Sequence, residues 1–106
     1  VIHMYERICF TFIISDSSCL RSPMGVGYSG NVSVAQSGRA CQKWSDVPDY
    51  QRIPSWDFGT PDGIYTAENY CKNPDGDTRG PWCFTDTSSG LMEYCNITIC
   101  GIKSYF

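Results

Sequence analysis

Apolar residues along this chain mostly come singly, and few stretches keep a regular period. Asn31 to Ser37 alternates, with Val32 and Val34 on one side and Ser33 and Ala35 on the other, which predicts a short strand. Phe84-Thr85-Asp86 and Leu91-Met92-Glu93-Tyr94-Cys95 flank Thr87-Ser88-Ser89-Gly90, the pattern of an antiparallel hairpin with Gly90 in its turn. Ser45 to Glu68 is the longest interval without a cysteine and carries Pro48, Pro54 and Pro61, with Trp56, Phe58 and Tyr65 between them. It keeps neither a helical nor a strand period, so an irregular loop pinned by its aromatic rings is expected. Asn69 to Cys83 cannot be helical, because Pro74 and Pro81 lack the amide proton and Asn-Pro and Asp-Gly are turn dipeptides. It reads as a tight loop clamped at each end by sulfur. No internal repeat, heptad or convincing amphipathic helix occurs.

The resulting picture is a small disulfide-rich fold, mostly loops with short antiparallel β hairpins. Composition sharpens it. A chain of 106 residues predicts one domain with too small an interior for a generous core. Seven cysteines in that length point to a disulfide scaffold made in an oxidising compartment. The sequons Asn31-Val32-Ser33 and Asn96-Ile97-Thr98 agree with a secreted or cell-surface glycoprotein, so an extracellular location is expected. A net charge of −3, from 8 Lys+Arg against 11 Asp+Glu, offers no basic face for nucleic acid.

The chain begins at Val1 and reads as a fragment of something longer. Ile8 to Ile14 is apolar but too short to span a bilayer, and no small-x-small cleavage pattern follows it. Residues 1–18, with the sole histidine His3 and the odd cysteine Cys9, are read as a poorly ordered leader or linker. Residues 19–100 form the domain, with Cys19 opening it, and 101–106 are a tail.

The residue inventory argues against catalysis. A Ser-His-Asp arrangement needs a histidine beside a nucleophile, and the only histidine lies in the leader. Asp75 and Asp77 sit on one turn, with no apolar pocket to raise either pKa as a glycosidase acid requires. No Cys-x-x-Cys exists for zinc. Asp75-x-Asp77-x-x-Gly80 imitates the start of a calcium loop, but Arg79 and Pro81 fall where ligands belong and Asp86 replaces the final glutamate. Neither enzyme, metal nor cofactor is expected.

Cys19, Gly25-x-x-Tyr28-x-Gly30, Gly38, Cys41-Gln-x-Trp44, Asn69-Tyr70-Cys71-x-Asn73-Pro74-Asp75, Gly80-Pro81-Trp82-Cys83, Glu93-Tyr94-Cys95 and Cys100 together resemble the kringle domain. The likeness covers Cys19 to Cys100. Within it, Gly25 to Trp44 is most similar to the kringle of Ror-type receptor tyrosine kinases. Two departures fall in loops, where insertion costs little: a long interval from Gly63-Ile64 to Cys71, and one extra residue between Cys19 and Gly25. Six cysteines permit fifteen connectivities, which spacing alone does not separate. The resemblance implies Cys19–Cys100, Cys41–Cys83 and Cys71–Cys95, leaving Cys9 over. Bridges closing such loops stabilise by roughly 3–5 kcal/mol each taken singly, and overlapping loops add to less. Trp44 is expected to cover a buried disulfide.

For function, the resemblance implies a non-catalytic extracellular interaction module from a receptor-type ectodomain. In lysine-binding kringles an anionic pair meets the ammonium, aromatic rings line a trough and a cation takes the carboxylate. Asp75 and Asp77 match the anionic pair, and Trp82 and Phe84 match one wall. The opposite wall differs: Leu91-Met92 stands where those kringles have Arg-Trp. Arg52 is the candidate replacement cation. A half-built trough should bind free lysine weakly, while an exposed Lys or Arg of a protein partner needs no carboxylate clamp. Two alternatives are a lysine-binding kringle of a plasminogen-like secreted serine protease and a stand-alone secreted antagonist. The same residues also fit a purely structural role, with both aspartates capping a turn and Leu91-Met92 as hairpin core, or an apolar contact patch of Leu91, Met92 and Phe84.

Overall fold

The computed structural model describes residues 18–100. The leader with His3 and Cys9 (Ser18 apart) and the tail 101–106 lie outside the described residues. Two strands form the only sheet among the described residues: β1 (Trp82–Asp86) and β2 (Leu91–Tyr94), antiparallel. Trp82 faces Tyr94, Cys83 faces Glu93, Phe84 faces Met92 and Asp86 faces Leu91, with an irregularity between Phe84 and Asp86. This is the expected hairpin, begun two residues earlier. Its turn needs a left-handed residue, and Gly90 supplies φ 76° at no Cβ cost.

The strand expected over Asn31–Ser37 does not form. Only Val34 bridges, to Ala40, and the chain turns at once, Ala35 N–H donating to Arg39 O at 2.8 Å. The other amides of this region go to separate partners: Gln36 to Tyr94 O, Cys41 to Ser33 O and, from beyond it, Cys71 to Val32 O. Val34 points outward and Ala35 inward, so the alternation has no single buried valine face.

Ser45–Glu68 is also more regular than expected. Trp44–Asp46 and Asp49–Gln51 are 3-10 turns, and α1 is a single helical turn, Gly63–Thr66. Elements of three or four residues are too short to carry a detectable period. Arg52 staples the first two together, Nε donating to Val47 O at 2.9 Å and an Nη to Ser45 O at 3.0 Å.

Two cores hold the molecule. The aromatic one buries Trp44, Val47, Ala67, Trp82 and Phe84, with Trp56, Phe58, Ile64, Met92 and Tyr94 packed against it. Its rings meet mainly edge to face, which favours their quadrupoles: Trp44 lies 5.1 Å from Phe58 and 5.0 Å from Trp82, centroid to centroid. The other is sulfur. Cys41–Cys83 and Cys71–Cys95 cross under Ala35, Val32 and Ile97, with Cys41 Sγ 3.7 Å from Cys71 Sγ. Cys19–Cys100 ties the ends, beside a Leu20–Ile99 bridge. The pairing is the one the resemblance implies. Trp44 belongs to the ring cluster and not to the disulfide pair it was expected to cover; its indole N–H is spent on Tyr70 O, 2.7 Å away.

The four inner sulfur atoms lie within 4.8 Å of one another. Four thiolates so placed would suit a metal, but both pairs are oxidised and offer none. No helix of the described residues is long and apolar enough to cross a membrane.

Candidate functional site

The Asn73–Asp77 turn is shaped from inside by Asn73, a buried side chain whose amide closes the turn and ties it to the distant Met24. Its Nδ2 donates to Met24 O at 2.7 Å and Asp77 O at 2.9 Å, and its Oδ1 accepts from Asp77 N at 2.8 Å. Gly76, at φ 67°, lets the chain reverse between the two aspartates. Both carboxylates therefore stand on one short ridge at the end of the hairpin where Trp82 pairs with Tyr94.

The two aspartates are not equivalent. Asp75 is exposed, and its Oδ1 accepts the indole N–H of Trp82 at 3.1 Å. Asp77 has a side chain 16 % exposed and is heavily engaged. Tyr94 O–H donates to its Oδ2 at 2.6 Å, Arg79 N–H donates to its Oδ1 at 2.9 Å, and Arg79 Nε lies 3.4 Å from that oxygen. These donors favour the ionised form, so the Asp77 carboxyl is held below its ordinary range, first by Tyr94 and then by Arg79. The same contact pushes the Tyr94 phenol up. The Arg79 guanidinium stacks on the Tyr94 ring, Cζ 4.6 Å from its centroid.

The other candidate residues fall less neatly. Trp82 is 4 % exposed and Phe84 7 %, so they carry the aromatic core and leave no open ring face for a trough wall. Trp82 reaches the ridge only through its indole N–H. Met92 pairs with Phe84 across the hairpin and packs on the core half-buried, while Leu91 beside it is exposed. Arg52 is committed elsewhere: beyond its two carbonyl bonds, its second Nη meets Asp49 at 3.1 Å. It braces the 45–52 turns, with each of its three nitrogens already holding a partner there. Asn31 and Asn96 are both exposed.

The structure thus brings together Asp75, Asp77, Trp82, Phe84 and Met92, and holds Arg52 in another task. It adds three residues whose parts were not foreseen: Asn73, Tyr94 and Arg79. Tyr94 stood in the Glu-Tyr-Cys motif, and strand pairing with Trp82 is the signal that locates it. Arg79 carried a weaker signal, a cation two residues after a carboxylate on a turn. Comparison with known families identifies the kringle domain, whose model matches residues 19–100.

Proposed function

We propose, from the premise that the chain belongs to the kringle family, that its aspartate ridge engages an exposed Lys or Arg side chain of a protein partner. Kringles are non-catalytic protein-interaction modules, and disulfide-bonded domains of this kind are typically extracellular. On this reading the domain belongs to a receptor-type ectodomain of the Ror kind, bearing N-glycan at the exposed Asn31 and Asn96. Support for the ridge as binding surface is one observation: Asp75 carries a carboxylate that faces solvent beside an aromatic cluster and meets no cation among the described residues. Free lysine should bind weakly, because Trp82 and Phe84 are buried, Leu91-Met92 supplies no second ring and Arg52 is engaged.

The test is a titration with 6-aminohexanoate, followed by tryptophan fluorescence and repeated on Asp77→Asn. A dissociation constant in the millimolar range, worth about 4 kcal/mol, weakened further by the substitution, is expected. Saturation at micromolar ligand would show a fully built lysine site and overturn the reading. Binding that ignores Asp77→Asn would remove the ridge from it.

A further inference from the structure

We infer that Arg79 is a resident competitor for the ridge, occupying in cis the place that a partner's Lys or Arg must take, and so sets which ligands the site admits. This rests on the binding role proposed above and goes beyond it. The geometry carries it. A carboxylate offers about four lone-pair positions. On Asp77 three are filled, by Tyr94 O–H, Arg79 N–H and Arg79 Nε. The guanidinium also covers the one aromatic face near the ridge that the core leaves available, that of Tyr94. Carboxylate below and ring face beside is the environment an incoming cation would seek. The chain's own cation is already there.

The hold is light. The Arg79 side chain is 73 % exposed, and an exposed ion pair is weak and screened by salt. A ligand can therefore displace it, beginning from Asp75, where no cation of the described residues sits. The two halves of the ridge should then behave differently: Asp75 recruits, and Asp77 tightens only once Arg79 has swung away. A partner with a single exposed lysine gains little from that exchange. One that also offers the displaced guanidinium a carboxylate or carbonyl gains more, which selects against free lysine and for a protein surface.

The experiment is a double-mutant cycle with 6-aminohexanoate as probe at low salt, on the chain with its disulfides intact and melting temperature checked for each variant. Arg79→Gln should tighten binding by ~3–10-fold, the sum of an exposed ion pair and an exposed cation–π contact. In the Asp77→Asn background the same substitution should tighten binding less, by the share that comes from uncovering the Tyr94 ring alone. Lys43→Gln, which removes an equal charge from an exposed site on another loop, should leave the constant within about twofold. If the wild type binds and Arg79→Gln does not tighten it, or Lys43→Gln tightens it equally, the competitor role falls while the binding role stands. If Arg79→Gln weakens 6-aminohexanoate but not 1-aminopentane, Arg79 clamps the carboxylate and the competitor role is again overturned. If neither the wild type nor Arg79→Gln binds either probe, both readings fall together.

Discussion

Gly63→Ala should unfold the domain at a much lower temperature, against the usual expectation for a helical glycine. In an ordinary helix interior alanine is favoured by about 1 kcal/mol. Here the added Cβ would overlap Phe58 Cβ and lie 3.2 Å from its Cγ, where carbon atoms normally rest near ~3.5–4.0 Å. The obstacle is the root of a ring and not the end of a flexible chain, and that ring packs on Trp44 at 5.1 Å. Phe58 must shift with its backbone, a strain of roughly 1–3 kcal/mol or more at so short a contact. The propensity gain is outweighed, and the net loss should be about 2 kcal/mol. For a domain of this size that lowers the melting temperature by roughly 10 °C. Thermal melts with disulfides intact, read by near-ultraviolet circular dichroism, would measure it and report the Trp44 environment at the same time. An unchanged or raised melting temperature would refute the argument, because it would mean that Phe58 is not seated against Gly63.

Acid should destabilise the domain in a defined window. Asp77, Asp86 and Glu93 all have carboxyls held low, chiefly by the Tyr94 hydroxyl, the Ser88 hydroxyl and the Ser37 hydroxyl respectively. Groups with depressed folded pKa values contribute fully above their unfolded values near ~4 and lose that contribution as pH falls through the lower folded values. The melting temperature should be flat from about pH 7 to 5 and fall below about 4, less steeply in Asp77→Asn; an equal slope in both proteins would count against the Tyr94–Asp77 contact. Arg52→Gln should cost about 1.5–3 kcal/mol in urea unfolding, by loss of charge-assisted bonds to Val47 O and Ser45 O, with 6-aminohexanoate affinity unchanged. Lost affinity with stability intact would return Arg52 to the site.

What the sequence disclosed and what it withheld divide along physical lines. The cysteine and glycine positions, and turn dipeptides such as Asn73-Pro74 and Asp75-Gly76, are local or nearly so, and the hairpin and the aspartate ridge could be read from them. The 3-10 turns at Trp44 and Asp49 could not, since three residues hold no period and their bracing comes from Arg52. Arg52 looked like a free cation because its carbonyl partners, Val47 and Ser45, are ordinary backbone with no sequence mark. Trp82 and Phe84 looked like an open wall because the resemblance matches them by position and does not say how many other rings arrive to cover them. Trp56 comes from the segment that seemed least ordered, and with Trp44 it closes that face. Arg79 was legible only as a residue that spoiled a calcium loop; its tie to Tyr94 depends on strand register.

The aromatic core offers a further test, of how firmly the indole of Trp44 is seated. Trp44 and Trp56 each contact four other rings of the cluster, the first at 5.0–5.8 Å and the second at 5.8–6.3 Å. Trp44 is fully buried and Trp56 only half-buried, so replacing the first by phenylalanine also removes the larger buried apolar area. Their indole nitrogens differ. Trp44 Nε1 donates to Tyr70 O at 2.7 Å, whereas Trp56 Nε1 is enclosed and meets no acceptor among the described residues. Trp44→Phe strands the Tyr70 carbonyl, at a cost of about 1–3 kcal/mol beyond the lost area. Trp56→Phe deletes a polar group that was already unpaired, which relieves a similar amount. Trp44→Phe should therefore be the more destabilising by roughly 2 kcal/mol or more, a gap that urea unfolding of the two variants would resolve. Equal losses would refute the reasoning, and would mean that the Trp44–Tyr70 bond does not seat the start of the loop carrying Asp75 and Asp77.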